Sequence, residues 1–95
     1  MSITEANVFA PAPFCVTRFD EKTQSVALLC VGPQMKVFNI DGVSSFIWRQ
    51  LDGKSSVRTI LKRVLEEFET TPARAKRDLV AFLNQLIDME LIHEK

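Results

Sequence analysis

The chain has 95 residues, 12 basic and 12 acidic, with 46% hydrophobic and 25% charged side chains. This is the profile of one ordinary folded domain with a modest core and little stability to spare. Its formal net charge of zero argues against non-specific attraction to nucleic acid, which depends on Lys and Arg neutralising phosphates. No apolar run approaches the roughly 18 residues of a membrane span, and Met1–Ala10 lacks the apolar stretch of a secretory signal. The expectation is a cytoplasmic protein with no membrane contact.

Residues 1–13 are polar and then Pro/Ala-rich over Ala10-Pro11-Ala12-Pro13, which reads as a flexible lead-in. Residues 14–95 are then the single domain. Phe14 to Phe19 has the β-branched and aromatic content of a short strand, and Asp20 to Gln24 the polarity of a hairpin loop. Ser25 to Val31 is apolar without alternation, which fits a strand covered on both faces or the central one of three. Gly32-Pro33-Gln34 is a turn signal, and a third strand follows through Ile40. Short connections make these an antiparallel meander, with the third strand at an edge if strand order follows chain order.

The apolar spacing then becomes helical. Val43, Phe46, Ile47 and Leu51 share one face, with Asp41 as the N-cap and Gly53 suited to the left-handed residue past the helix end. Ser56 caps a second helix carrying Val57, Ile60, Leu61, Val64, Leu65 and Phe68. Thr71-Pro72 opens a third, running to about Leu91. Ala75, Leu79, Phe82, Leu86 and Met89 form one apolar face of it with Leu83 at the border, while Val80, Ile87 and Leu91 occupy an adjoining sector. The apolar arc spans roughly 200°, wider than the stripe needed to face one core. The helix therefore packs on two layers, or Val80, Leu83 and Ile87 line a groove beside the edge strand. The fold expected is α+β, a three-stranded antiparallel sheet followed by three helices.

Little in the chain reads as catalysis. His93, the only histidine, has no partner at ligand spacing and reads as a solvated side chain. Cys15 and Cys30 are too far apart in sequence for a Cys-x-x-Cys site; neighbouring strands could bring them face to face, a placement the sequence leaves open, and two free buried thiols are the expectation. Ser44, Ser45, Ser55 and Ser56 stand at helix starts, where capping explains them. The three glycines form no phosphate loop. The chain is expected to be no enzyme and to carry no cofactor or metal. Trp48, off the main face of its helix, reads as a half-buried cover for the core. Arg74, Lys76 and Arg77 crowd the start of the third helix and read as a solvated face. Their other reading is a winged-helix DNA-binding module in which they touch phosphates, an alternative weakened by Asp78, Asp88 and Glu90.

One run of residues is more specific. Phe38-Asn39-Ile40-Asp41-Gly42, then Phe46-Ile47-Trp48 and Leu51-Asp52-Gly53, resembles the PqqD family. The likeness continues through Ser56-Val57, Ile60, Phe68, Asp78-Leu79, Phe82-Leu83 and Leu86, and upstream through Leu28-Leu29 and Pro33, over residues 14–92. Gln34, Arg58 and Glu90 depart from the family pattern. Glu90 stands where a Gly usually ends the third helix, so a longer helix is expected here.

The resemblance implies a winged-helix-type RiPP recognition element. Such a domain is a peptide chaperone that binds the leader segment of a ribosomally made precursor and presents it to a modifying enzyme. In the pyrroloquinoline quinone (PQQ) pathway that enzyme is a radical SAM protein. The leader adds as a strand to the third strand and rests against the third helix. Here those elements offer Lys36, Val37, Phe38, Asn39 and Ile40 as the receiving strand. Phe38 and Ile40 are placed on the core side, and Val80, Leu83 and Ile87 as receivers of apolar leader side chains between Arg77 and Asn84. On this reading Leu83→Asp weakens leader binding more than it unfolds the domain. An exposed edge strand also permits self-pairing, so a homodimer is compatible with it.

Overall fold

The computed structural model describes residues 3–31 and 36–95. The turn expected at Gly32–Gln34, and Met35 before the third meander strand, lie outside them. The elements are β1 (Phe9–Pro11), β2 (Cys15–Asp20), β3 (Ser25–Cys30), β4 (Lys36–Ile40), α1 (Gly42–Gln50), α2 (Val57–Glu67), α3 (Pro72–Asp88) and β5 (Ile92–Glu94). β2, β3 and β4 form an antiparallel sheet in that order, so the expected meander and the three helices after it are present. β3 is the central strand and alternates between buried and half-buried residues. Of the two readings of its unbroken apolar run, the central position is the one the fold adopts.

Residues 3–13 depart from expectation. Instead of a flexible lead-in, β1 pairs antiparallel with β5, matching Phe9 to Glu94 and Pro11 to Ile92. Phe9 is buried in the main core. Main-chain bonds run from Gly53 N–H to the Phe9 carbonyl, from Val57 N–H to Asn7 and from Arg58 N–H to Glu5. The segment is held by these main-chain bonds and the pairing with β5, and because one large aromatic side chain leaves water.

Each helix start has a local cause. The Ser56 hydroxyl accepts from Thr59 N–H and the Thr71 hydroxyl from Arg74 N–H, with Pro72 in the first turn of α3. Asp41 occupies the N-cap position of α1, yet its carboxylate makes no capping bond. The strand turns into the helix through Gly42 at φ +58°, a conformation that spares glycine a Cβ clash. Past α1, the Asp52 carboxylate accepts from Lys54 N–H and Ser55 N–H, and these bonds, Ser55 foremost, hold its carboxyl below the usual range. Gly53 takes φ +76°, as expected of a residue just past a helix end.

α3 ends at Asp88, short of the expected Leu91. Leu91 N–H reaches the Leu86 carbonyl and Glu90 N–H the Ile87 carbonyl. This double bond pattern closes a helix around a left-handed residue, here Glu90 at φ +59°. Glu90 therefore adopts the glycine-like conformation that its side chain disfavours. Buried Leu91 and Leu86 hold the stop from the apolar side. Glu90→Gly is expected to raise stability by about 0.5–1 kcal/mol, a few degrees in Tm, since it removes the left-handed cost at the expense of chain entropy. Thermal unfolding followed by circular dichroism checks it, and an unchanged or lower Tm contradicts it.

The core lies between the inner face of the sheet and the helices. Trp48 is 2% exposed, deeper than the half-buried cover expected of it, and its Nε1–H donates to Thr17 Oγ1 at 3.0 Å. That bond ties α1 to the inner face of β2 and satisfies the one polar atom of the indole. Phe46 and Phe68 meet edge to face at 5.3 Å, joining α1 to α2.

Candidate functional site

The hydrogen-bond phase of the sheet decides which main-chain groups are open. Val31 N–H donates to the Phe14 carbonyl, so Cys15 and Cys30, one step inward in register, form a non-hydrogen-bonded pair. Such pairs bring side chains close, and their Sγ atoms lie 2.9 Å apart as the expected free thiols. Burial, then the contact with Cys30, pushes the Cys15 thiol up to about 12, which keeps it protonated and a weak nucleophile. The alternation continues through β3. Val26, Leu28 and Cys30 direct their main chain at β4, and bond Ile40, Phe38 and Lys36. Val37 and Asn39 point theirs the other way.

Among the described residues, β4 has no neighbour on that side. Among the described residues no main-chain partner meets Val37 or Asn39. The strand thus presents two N–H donors and two carbonyl acceptors in the spacing an added strand requires, uninterrupted by proline. Side chains sort as the alternation predicts. Phe38 and Ile40 pack against the core, while Val37 and Asn39 project from the opposite face. Lys36 is exposed.

On α3, Val80, Asn84 and Ile87 stand at i, i+4 and i+7 and are all half-buried, a line along the margin of the buried stripe. Arg77 is exposed, 3.8 Å from the neighbouring Asp78 carboxylate. Leu83 is different. It is 0% exposed, within the ridge of Ala75, Leu79 and Leu86 that forms the heart of the core. It cannot receive a side chain from outside, and its assignment as a groove residue is corrected. The wide apolar arc has one sector in the core, centred between Leu79 and Leu83, and one partly open sector carrying Val80 and Ile87. Met89, placed on the buried face by spacing alone, is an exposed side chain at the end of the helix.

Sequence reasoning also missed the outer face of the sheet. Phe14, Val16, Val31 and Val37 are all exposed there. No clear signal marked it, because Phe14, Val16 and Arg18 and the intervening Cys15, Thr17 and Phe19 each mix apolar and polar residues. Arg49 covers the ring of Phe19 at 3.8 Å, a cation–π contact at the far end of β2.

A sheet with an open edge at β4, followed by helices of which α3 keeps a partly uncovered apolar margin, defines a small α+β domain able to accept an added strand. The family model "Coenzyme PQQ synthesis protein D (PqqD)" matches residues 19–92, and the chain belongs to the PqqD family. A curated relative described as a PqqA binding protein, from Gluconobacter oxydans (strain 621H), is 33% identical over 58 residues. That alignment covers 61% of this chain and 60% of the relative, so the chain spans about three-fifths of its length. The structure of TbiB1 in complex with the TbiA(beta) leader peptide superposes with a TM-score of 0.79 at 25% identity, over 88% of this chain and 94% of that one. The PqqD truncation of Methylobacterium extorquens PqqCD, a stand-alone RiPP recognition element, shares the fold with a TM-score of 0.73 at 21% identity, over 97% of this chain and 95% of that one. No comparison points to nucleic acid, and the DNA-binding reading of Arg74, Lys76 and Arg77 finds no support. Among the described residues, no helix is long and apolar enough to cross a membrane.

Proposed function

We propose that this domain binds the leader segment of a ribosomally made precursor peptide and presents it to a modifying enzyme. The leader joins the sheet as a strand beside Lys36–Ile40. The observation that carries the reading is the open edge of β4, where, among the described residues, the main chain of Val37 and Asn39 has no partner. β2 offers a second open edge, but the family likeness points to the third meander strand and the third helix. Val80 and Ile87, with Asn84 and Arg77 at the border, form the helical side of the site in this proposal.

Strand addition supplies affinity through the backbone, while a few buried anchors offset the ordering entropy of the peptide. A cavity of about 260 Å³ where α1, α2 and α3 meet offers room for one such anchor. Its wall includes Val43, three residues beyond Ile40 in the chain. The domain itself performs no chemistry in this reading. It serves a peptide-modifying enzyme in the cytoplasm, a radical SAM protein if the pathway is that of PQQ, and its open edges leave self-pairing available when no leader is bound.

Calorimetric titration with leader peptides encoded beside this chain, at low and moderate salt, tests the proposal. Binding by added backbone bonds and apolar anchors is expected to weaken only a fewfold between the two conditions. Heat from no leader, or affinity collapsing with salt as for phosphate contacts, defeats it.

A further inference from the structure

The outer face of the sheet, turned away from the helices, is divided into two halves by its cross-strand rows. One row runs Val16, Leu29, Val37 across the three strands, flanked just beyond the strand ends by Phe14 and Val31, joined through the bond from Val31 N–H to the Phe14 carbonyl. The next runs Arg18, Ala27, Asn39, followed by Asp20 and Ser25. The first half is wholly apolar, and Val37, the member at the open edge, is 64% exposed. The second half is polar at both edges. Clustered apolar side chains on a soluble surface mark a place that something covers, and this cluster runs directly into the unpaired edge of β4.

Resting on the strand-addition reading, we propose that the leader is read on this outer face as well as against α3, with an apolar residue selected opposite Val37 and a polar one opposite Asn39. A strand added to β4 alternates its side chains. Those opposite Phe38 turn toward the helices, and those opposite Val37 and Asn39 turn outward. The outward residues become the fourth members of the two rows. Beside Val37, a leader Val, Ile, Leu or Phe extends the apolar row and reaches back toward Leu29. A charged residue there is stripped of water beside apolar groups and gains no partner.

The device also settles the register. Main-chain bonds repeat every two residues and carry no sequence information, so they tolerate a slip of two. Such a slip keeps each leader side chain on its own face but carries the polar outward residue onto Val37 and the apolar one away from it. The change from apolar row to polar row between Val37 and Asn39 penalises that slip. Reversing the peptide exchanges the two outward residues in the same way.

The test is a selection of displayed random peptides, long enough to cover Lys36–Ile40, on the full chain and on its Val37→Lys variant. The exposed side chain of Val37 makes the variant compatible with the fold, and an unchanged Tm checks this. Peptides that bind the parent chain and fail to bind Asn39→Pro are those added at the β4 edge. Among these, an apolar residue two positions from a polar one is expected. The Val37→Lys selection is expected to replace that apolar residue with Asp or Glu and leave the inward anchors unchanged. In one selected peptide, exchanging the outward apolar residue for Thr is expected to weaken binding to the parent chain about two- to fivefold. Edge-dependent peptides with no preference opposite Val37, or the same preference on Val37→Lys, overturn the two-faced reading and leave strand addition standing. Finding no peptide sensitive to Asn39→Pro overturns strand addition and this inference with it.

Discussion

Asn39→Pro is expected to fold and to lose its peptide. Proline in most sheet positions removes a ladder bond, but here the N–H of residue 39 points at the open edge and bonds nothing in β3. A strand tolerates proline on that side, and the extended Phe38 before it already has the backbone that a pre-proline residue prefers. The cost falls on the bound state. One inter-strand bond is lost, a leader carbonyl is left without a donor, and the ring occupies the line along which the leader approaches. The bond and the stranded carbonyl together are worth about 2–4 kcal/mol, roughly 30- to 1,000-fold in Kd. Calorimetry against a leader that binds the parent chain reads the loss, and thermal unfolding reads the intact fold. Retained affinity in a folded Asn39→Pro domain places the peptide elsewhere.

Leu83→Asp is expected to unfold the domain outright. Truncating a buried leucine costs about 2–5 kcal/mol through lost burial and the cavity left behind. A carboxylate adds desolvation with no partner, since the buried cluster to which Leu83 belongs is entirely apolar. The sum rivals the roughly 5–15 kcal/mol that holds a small domain together. Far-ultraviolet circular dichroism at 25 °C is expected to show no cooperative melt. A variant melting within a few degrees of the parent would return Leu83 to the groove wall. Any loss of leader binding in this variant reports the missing fold, so Ile87 and Val80, half-buried at the margin of α3, are the positions at which to probe the groove.

The contrast between these two residues shows what the sequence could convey. The meander, the caps at Ser56 and Thr71, and the core side of Phe38 and Ile40 follow from local signals, and all are present in the fold. The edge position of β4 followed from short connections alone. Its two open main-chain positions did not, because the phase of the ladder is set by pairing between strands. α3 announced an arc too wide for one core, but an arc does not say which of its sectors the neighbours cover. The core took Leu83 and left Val80 and Ile87 at the margin. β1 and β5 escaped notice because each is three residues long and their partners sit at opposite ends of the sequence. Glu90 reads as a good helix former, and only the packing of Leu91 on the last turn forces it into the conformation that ends α3.

The single tryptophan has a practical bearing on all of these measurements. Trp48 is sealed in the core and the chain contains no tyrosine, so its near-ultraviolet emission comes from one indole in one apolar, hydrogen-bonded environment. That emission is a built-in gauge of whether the domain is folded. The indole lies on the inner side of β2, one sheet edge away from β4, and a strand joining the far edge leaves its surroundings as they are. Fluorescence therefore separates a variant that has lost its fold from one that has lost only its peptide.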